Sequence, residues 1–264
     1  IFELENMMDK KDCVCLYENS EQLIQSAIDN IVVEILRKRE GRENAQTILL
    51  TGCSALAGTT SVSINLAIAV ANTKRRTLLI DCDMRKTVKY KKLNEQVTLG
   101  LSDYLSQEKD EIQREMITYP TNIENLTYIP CGRNVDNATR ALGSTEMEEL
   151  LRCVKKEYDI VIFDLPAVTI VPDAQILMQS VDGIILLAAL GETRKKQIRE
   201  AKRKIAQCKN KYYGMIINKV QKDMYRMNAD DYDYYFMDKS GEQKLSGNPA
   251  RKKYTKLKRE GENK

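Results

Sequence analysis

Apolar positions first recur at helical spacing between Ser20 and Arg39. Leu23, Ile24, Ala27, Ile28, Ile31, Val32, Ile35 and Leu36 share one face there, so the segment is expected to be a helix packed against a core. Ser20 is placed to cap its start. Polar residues 40–45, with Gly41, then read as a linker. Beyond it the period changes. Short, almost unbroken apolar runs stand at 47–52, 77–81, 125–130, 159–164, 183–190 and 214–220, and each has the length of a buried strand. Helical patterns are expected over 60–73, 145–157, 173–180 and 193–208. Strands alternating with helices predict βαβ crossovers, hence an α/β fold with a mostly parallel sheet covered on both faces. After Gln221 the pattern stops, and residues 222–264 read as a flexible tail rich in tyrosine and charge. The expected organisation is a segment and helix over 1–45, an α/β domain over 46–221 and the tail.

Ligands of such sheets bind outside the carboxyl ends of the strands. After the first strand comes CSALAGTTS and then a helix, the arrangement in which free N–H groups and the helix dipole face a phosphate. In a phosphate-binding P-loop the last glycine is followed by a lysine for the β- and γ-oxygens and a Ser/Thr for Mg²⁺. Gly58 and Thr60 hold the glycine and hydroxyl positions, but Thr59 stands at the lysine position. A plain strand-to-helix turn is the bland alternative. The second strand leaves the sheet at Asp81-Cys82-Asp83, two carboxylates suited to Mg²⁺ or to the proton of an attacking hydroxyl. The fourth ends at Asp164, the Walker B position for metal.

Composition narrows the chemistry. The chain has no His, which excludes Ser-His, Cys-His and phosphohistidine catalysis by its own residues. Seven scattered Cys, of which Cys13 and Cys15 are the only close pair, give neither a disulfide framework nor a zinc spacing. They are expected to be reduced thiols, and the chain cytoplasmic. No secretory signal is visible, and the apolar run at 184–190 is too short to span a bilayer. The first residue is Ile, which suggests a trimmed chain. The basic run from Arg251 to Arg259 reads as solvated tail, and nucleic acid is not an expected partner.

From about Thr47 to Val220 the chain resembles the cytoplasmic kinase domain of bacterial tyrosine kinases of capsule and exopolysaccharide synthesis. These belong to a deviant-P-loop group that includes septum-site and plasmid-partition ATPases. LLIDCDMRK is similar to the family's Walker A′ motif, TLGLSDYLSQ to its GLSDYL segment, and NATRALGSTEMEELLRCVKKEYDIVIFDLPAV to the stretch entering its Walker B. DAQILMQSVDGIILLAALGETRKKQI and GMIINKV also follow its pattern. The resemblance implies a P-loop NTPase fold, ATP and Mg²⁺ as cofactors, and a base-contacting role for Asn218. It also implies metal and proton-transfer roles for Asp81 and Asp83, and a C-terminal tyrosine cluster phosphorylated in trans. Tyr225, Tyr232, Tyr234, Tyr235 and Tyr254 lie in the tail, the middle ones beside Asp230, Asp231 and Asp233. The implied partners are a membrane adaptor or polysaccharide co-polymerase, which would hold the protein at the inner face of the membrane, and an intact kinase paralogue.

Two departures change the expectation. The family loop P-G-E-G-K-S reads Ala55-Leu56-Ala57-Gly58-Thr59-Thr60 here, and no Lys or Arg occurs between Glu43 and Thr73. ATP binding and tyrosine phosphorylation are therefore expected to be weak or lost, as in a pseudokinase. In the N-terminal helix Glu21 is kept, but Ile24 and Ala27 stand where the family's ring-forming arginines belong, which puts ring assembly in doubt while a homo-oligomer stays open. Two alternatives remain: an active kinase completed by a partner's cation, and a positioning ATPase of the septum-site or plasmid-partition kind.

Overall fold

The computed structural model describes Leu16 and residues 22–85, 99–106 and 112–220. The chain divides into two units, Ile1–Val220 and Gln221–Lys264, and every described residue belongs to the first. The element order is α1 (Gln22–Arg39), β1 (Gln46–Gly52), α2 (Thr59–Asn72), β2 (Thr77–Asp81), α3 (Leu101–Leu105), β3 (Tyr119–Pro120) and β4 (Leu126–Ile129). It continues with α4 (Ala138–Leu142), α5 (Thr145–Glu157), β5 (Ile160–Leu165), α6 (Asp173–Leu177), β6 (Gly183–Ala189), α7 (Lys195–Ile205) and β7 (Tyr212–Asn218).

Among the described residues seven strands form one sheet, in the order β3-β4-β2-β5-β1-β6-β7. All neighbours run parallel except β3 and β4. The central strands β1, β5 and β6 are buried along their whole length, which is why their sequences are nearly unbroken apolar runs. Side chains alternate between two cores. Leu49, Val161 and Phe163 point to the face covered by α3–α7, while Ile48, Leu50, Ile160 and Ile162 point to the face covered by α1 and α2. On α1 the buried stripe is Ile28, Val32 and Ile35, whereas Ile24 is exposed.

Several sequence expectations need adjustment. The run at 125–130 is a strand only over Leu126–Ile129, and a two-residue antiparallel β3 beside it was not anticipated. The helix expected over 173–180 ends at Leu177, and the one over 193–208 starts at Lys195 and tightens into a 3₁₀ turn at Ala206–Lys211. The last strand begins two residues early, at Tyr212, and stops at Asn218. Asp164 does not end its strand, since β5 runs on to Leu165. Ser20, Glu21, Cys13, Cys15 and the tail lie outside the described residues. The described cysteines, Cys53, Cys82, Cys131, Cys153 and Cys208, are all free thiols. No helix among the described residues is long and apolar enough to cross a membrane.

Carboxylates at the two ends of the sheet do different jobs. At the amino ends, Asp182 accepts from the N–H and hydroxyl of Thr47 at 2.9 and 2.7 Å and pairs with Arg42, while Asp159 pairs with Arg39 and Arg76. Burial opposes both charges, but these bonds win and hold each carboxyl below its ordinary range. They tie loops to strand starts. The carboxyl ends hold the other acids.

Candidate functional site

The loop after β1 is stitched to three neighbouring strand ends. Cys53 donates its N–H to Leu187 O at 2.7 Å, Thr51 Oγ1 donates to Pro166 O at 2.6 Å, and Val168 N–H donates to Gly52 O at 3.1 Å. Thr169 Oγ1 donates to Cys53 O at 3.0 Å, and the Ser54 and Thr193 hydroxyls share a bond of 2.8 Å. Asn218, the last residue of β7, donates its side-chain amide to Ala57 O at 2.9 Å. Of these, sequence reading singled out only Asn218. Thr193, Thr169 and Ser54 carried no signal beyond being hydroxyls in loops.

Two glycines in this loop cannot be replaced without movement. A β-carbon on Gly52 would lie 2.7 Å from Ser54 O, and one on Gly58 only 2.2 Å from Asn218 Nδ2. Gly58 also has φ +86°, in the left-handed region, where it serves as N-cap of α2. No side chain caps that helix, and its first turn holds no acid. The N-terminus of this 14-residue helix, the positive end of its dipole, therefore faces the loop, as an anion cradle requires. Thr59 and Thr60 are its first two helical residues. Leu56 takes φ +58° as well, and the residue is 85% exposed. This left-handed backbone conformation carries a steric cost for leucine.

Asp81 and Asp164 are register partners across β2 and β5, so the two carboxylates leave the sheet side by side. Cys82 N–H donates to Asp164 O at 2.9 Å, and Asp83 N–H donates to Asp81 Oδ1 at 2.9 Å, which folds the Walker A′ turn back on itself. All three acids are buried. Ser63 Oγ, one helical turn beyond Thr60, donates to Asp164 Oδ1 at 3.3 Å and joins this pair to α2. The fold thus gathers Gly58, Thr59, Thr60, Asn218, Asp81, Asp83 and Asp164 at the carboxyl ends of adjacent strands. Among the described residues no three His, Cys, Asp or Glu side chains are grouped to hold a metal by themselves.

The thiols here are inert. Burial pushes Cys82 well above its ordinary range, with Asp81 and Asp164 adding to it. Burial also pushes Cys53 up to about 11, against the field of Lys202 on α7. That field reveals a cation which local sequence around the loop did not. Nearby, Asp103 of α3 accepts Gly100 N–H at 2.9 Å and Arg133 Nε at 2.6 Å. A β-carbon on Gly132 (φ +76°) would lie 2.4 Å from Ser102 Oγ, so the GLSD turn packs directly onto the turn after β4. Arg85 reaches from the end of the Walker A′ turn to Asp173 of α6.

A helix N-terminus behind a glycine loop, with acids at the ends of the neighbouring strands β2 and β5, is the arrangement of the α/β P-loop NTPase fold. Residues 47–211 match the model of the AAA domain family. The chain is 34% identical over 180 residues to the tyrosine-protein kinase CpsD of Streptococcus pneumoniae serotype 4, covering 67% of this chain and 78% of that one. It is 32% identical over 173 residues to the tyrosine-protein kinase YwqD of Bacillus subtilis, covering 66% and 72%. The crystal structure of the VpsO kinase domain superposes with a TM-score of 0.64 at 27% identity, covering 76% of this chain and 98% of that one. The chain belongs to the bacterial tyrosine-kinase family.

Proposed function

We propose that this protein regulates capsular or exopolysaccharide synthesis or export as a degenerate member of its family, with ATP-dependent tyrosine phosphorylation weakened or lost. The observation that carries the reading is Thr59, a short neutral side chain at the first helical position of α2, where the family has lysine. The rest of the site suits Mg·ATP. Gly58 and the uncapped α2 N-terminus would cradle phosphate, Thr60, Asp81 and Asp164 would hold Mg²⁺, and Asp83 would receive the acceptor proton. Bound there, ATP would supply the γ-phosphoryl group. One charge-assisted hydrogen bond is worth roughly 1.5–3 kcal/mol, so its loss should weaken ATP binding about tenfold or more. Lost transition-state stabilisation would cost on the order of 10²–10³ in rate. The tail tyrosines Tyr225, Tyr232, Tyr234 and Tyr235 would be acceptors for an intact paralogue, and a membrane adaptor would hold the protein at the inner face of the membrane.

Calorimetric titration with Mg·ATP tests this. The expected Kd lies well above micromolar, and the Leu56→Gly/Thr59→Lys double variant should tighten it. A submicromolar Kd for the unpartnered protein would overturn the reading. Lys202 favours a second reading, in which another element supplies the missing cation. In that case, Lys202→Gln would abolish the tight binding.

A further inference from the structure

The helix α7 carries Lys195, Lys196, Arg199, Lys202, Arg203 and Lys204 against a single acid, Glu200. Helix α5, of similar length, sets three cations against four acids. Five of the six cations of α7, all but Lys204, are exposed, and they fall at i, i+1, i+4, i+7 and i+8, so they form one continuous stripe. None of the five pairs with an acid among the described residues. Two of them, with the N-cap Arg194, crowd the positive end of the helix dipole, and no acid stands in the first turn. A solvated surface helix ordinarily mixes its signs. This one concentrates a single sign where self-repulsion is worst.

The stripe also adjoins the site. Thr193, bonded to Ser54 of the phosphate loop, immediately precedes the N-cap, and Lys204 Nζ donates to Val168 O at 2.7 Å just beyond β5. The apolar side of α7 is used up. Ala201 and Ile205 are buried and Ile198 packs with them in the core, so the helix has no apolar face to insert into a bilayer. What it presents is a row of cations about 12 Å long, matching roughly four residues of extended chain.

We infer that the exposed face of α7 is a docking surface for an acidic, tyrosine-bearing peptide supplied in trans, which it holds beside the phosphate loop. The sequence contains a segment of that chemistry: Asp230, Asp231 and Asp233 interleave with Tyr232, Tyr234 and Tyr235, and no cation occurs between Arg226 and Lys239. A second copy or a paralogue would present such a segment. The inference rests on the proposed reading of these tyrosines as phosphoacceptors, but it concerns recognition and not phosphoryl transfer.

The test uses a fluorescent peptide with the sequence of residues 228–236, NADDYDYYF. The receptor is the full chain carrying Asp230→Asn, Asp231→Asn and Asp233→Asn, so that its own segment does not compete. Anisotropy should report binding that weakens steeply with added salt. Binding should fall about tenfold or more when the peptide's aspartates become asparagine. The same fall is expected when Lys195, Lys196, Arg199 and Arg203 are changed to Gln in the receptor. These side chains are exposed, and circular dichroism will check that the variant is folded. Equal affinity for the Gln variant would overturn the proposal. No peptide binding, with phosphatidylglycerol-containing vesicles captured through α7 instead, would overturn it in favour of a membrane surface. Binding of neither would overturn it outright. Mg·ATP affinity is measured separately, so failure of the kinase reading would leave peptide recognition intact and distinguishable.

Discussion

Arg85 grips Asp173 with two arms, Nε to Oδ2 at 2.7 Å and Nη2 to Oδ1 at 2.9 Å, while the Thr139 hydroxyl donates to Oδ1 at 2.6 Å. The fork joins the end of the Walker A′ turn to α6, and Thr139 adds α4. Asp173 is fully buried, and Arg85 is about one-third exposed, with a side-chain accessibility of 35%. Removing one partner of a fully buried pair costs roughly 3–5 kcal/mol. With the open side of Arg85 screened by water, Arg85→Ala should cost about 2–3 kcal/mol. Arg85→Lys should recover only part of it, because an ammonium cannot make both bonds in the plane of the carboxylate. Thermal unfolding of the three proteins will check the order.

The same carboxylate predicts a pH dependence. Burial opposes ionisation of Asp173, but the bonds from Arg85 and Thr139 prevail and hold its carboxyl below the ordinary value. Asp159 and Asp182 are depressed in the same way. A carboxyl depressed in the folded state stabilises above its unfolded pKa, about 3.9, and that contribution is lost as pH falls through the folded value. Melting temperature should therefore be nearly flat from pH 7 to about 5 and drop below about pH 4. Asp173→Asn should melt lower at neutral pH yet show a shallower acid limb. An unchanged acid limb would show that Asp173 carries little of the linkage.

The parts most legible in sequence were those with a local cause. Strands β1, β5 and β6 are buried on both faces, so their composition alone marked them. Asp81 and Asp164 stood out because an acid at the end of an apolar run must leave the sheet. Asp159 and Asp182 look much the same on paper, and only the strand direction separates staples at the amino ends from the candidate site. Strand β3 has two residues and α3 and α4 five each, too few for any period to register. The bonds Ser63–Asp164 and Asn218–Ala57 join residues 101 and 161 apart, and no local pattern encodes them. The cations of α7 were not singled out in the sequence, because neither their shared exposed face nor their place beside the loop has a local signal.

Leu56 gives a prediction that runs against ordinary core logic. At φ +58° its β-carbon is strained, a cost of about 1–2 kcal/mol, and as a residue 85% exposed it recovers little by burial. Glycine removes the strain but enlarges the unfolded ensemble, an opposing term of about 0.4–1 kcal/mol. Leu56→Gly should therefore leave stability unchanged or raise it by up to about 1.5 kcal/mol. Denaturant unfolding will decide. A loss above 1 kcal/mol would mean that the leucine makes contacts the exposed side chain does not suggest.

Gly58 and Asn218 should be coupled, and the coupling can be measured. Gly58→Ala faces two costs: a left-handed φ of +86°, and a β-carbon that would sit 2.2 Å from Asn218 Nδ2. Resolving the overlap must push Asn218 away from Ala57 O and free the loop from β7. The expected total is about 2–4 kcal/mol. In an Asn218→Ala background the overlap is gone and the bond already lost, so the same change should cost only the backbone strain, about 1–2 kcal/mol. The double-mutant cycle should thus give an interaction energy of about 1–2 kcal/mol, with the double variant more stable than the sum of the singles implies. Additivity within a few tenths would show that the amide yields freely and that β7 does not fix the loop. If the cycle shows the coupling, Asn218→Ala should also loosen the loop, read as faster amide exchange at Ala57 and Gly58 with the strands of the sheet unchanged.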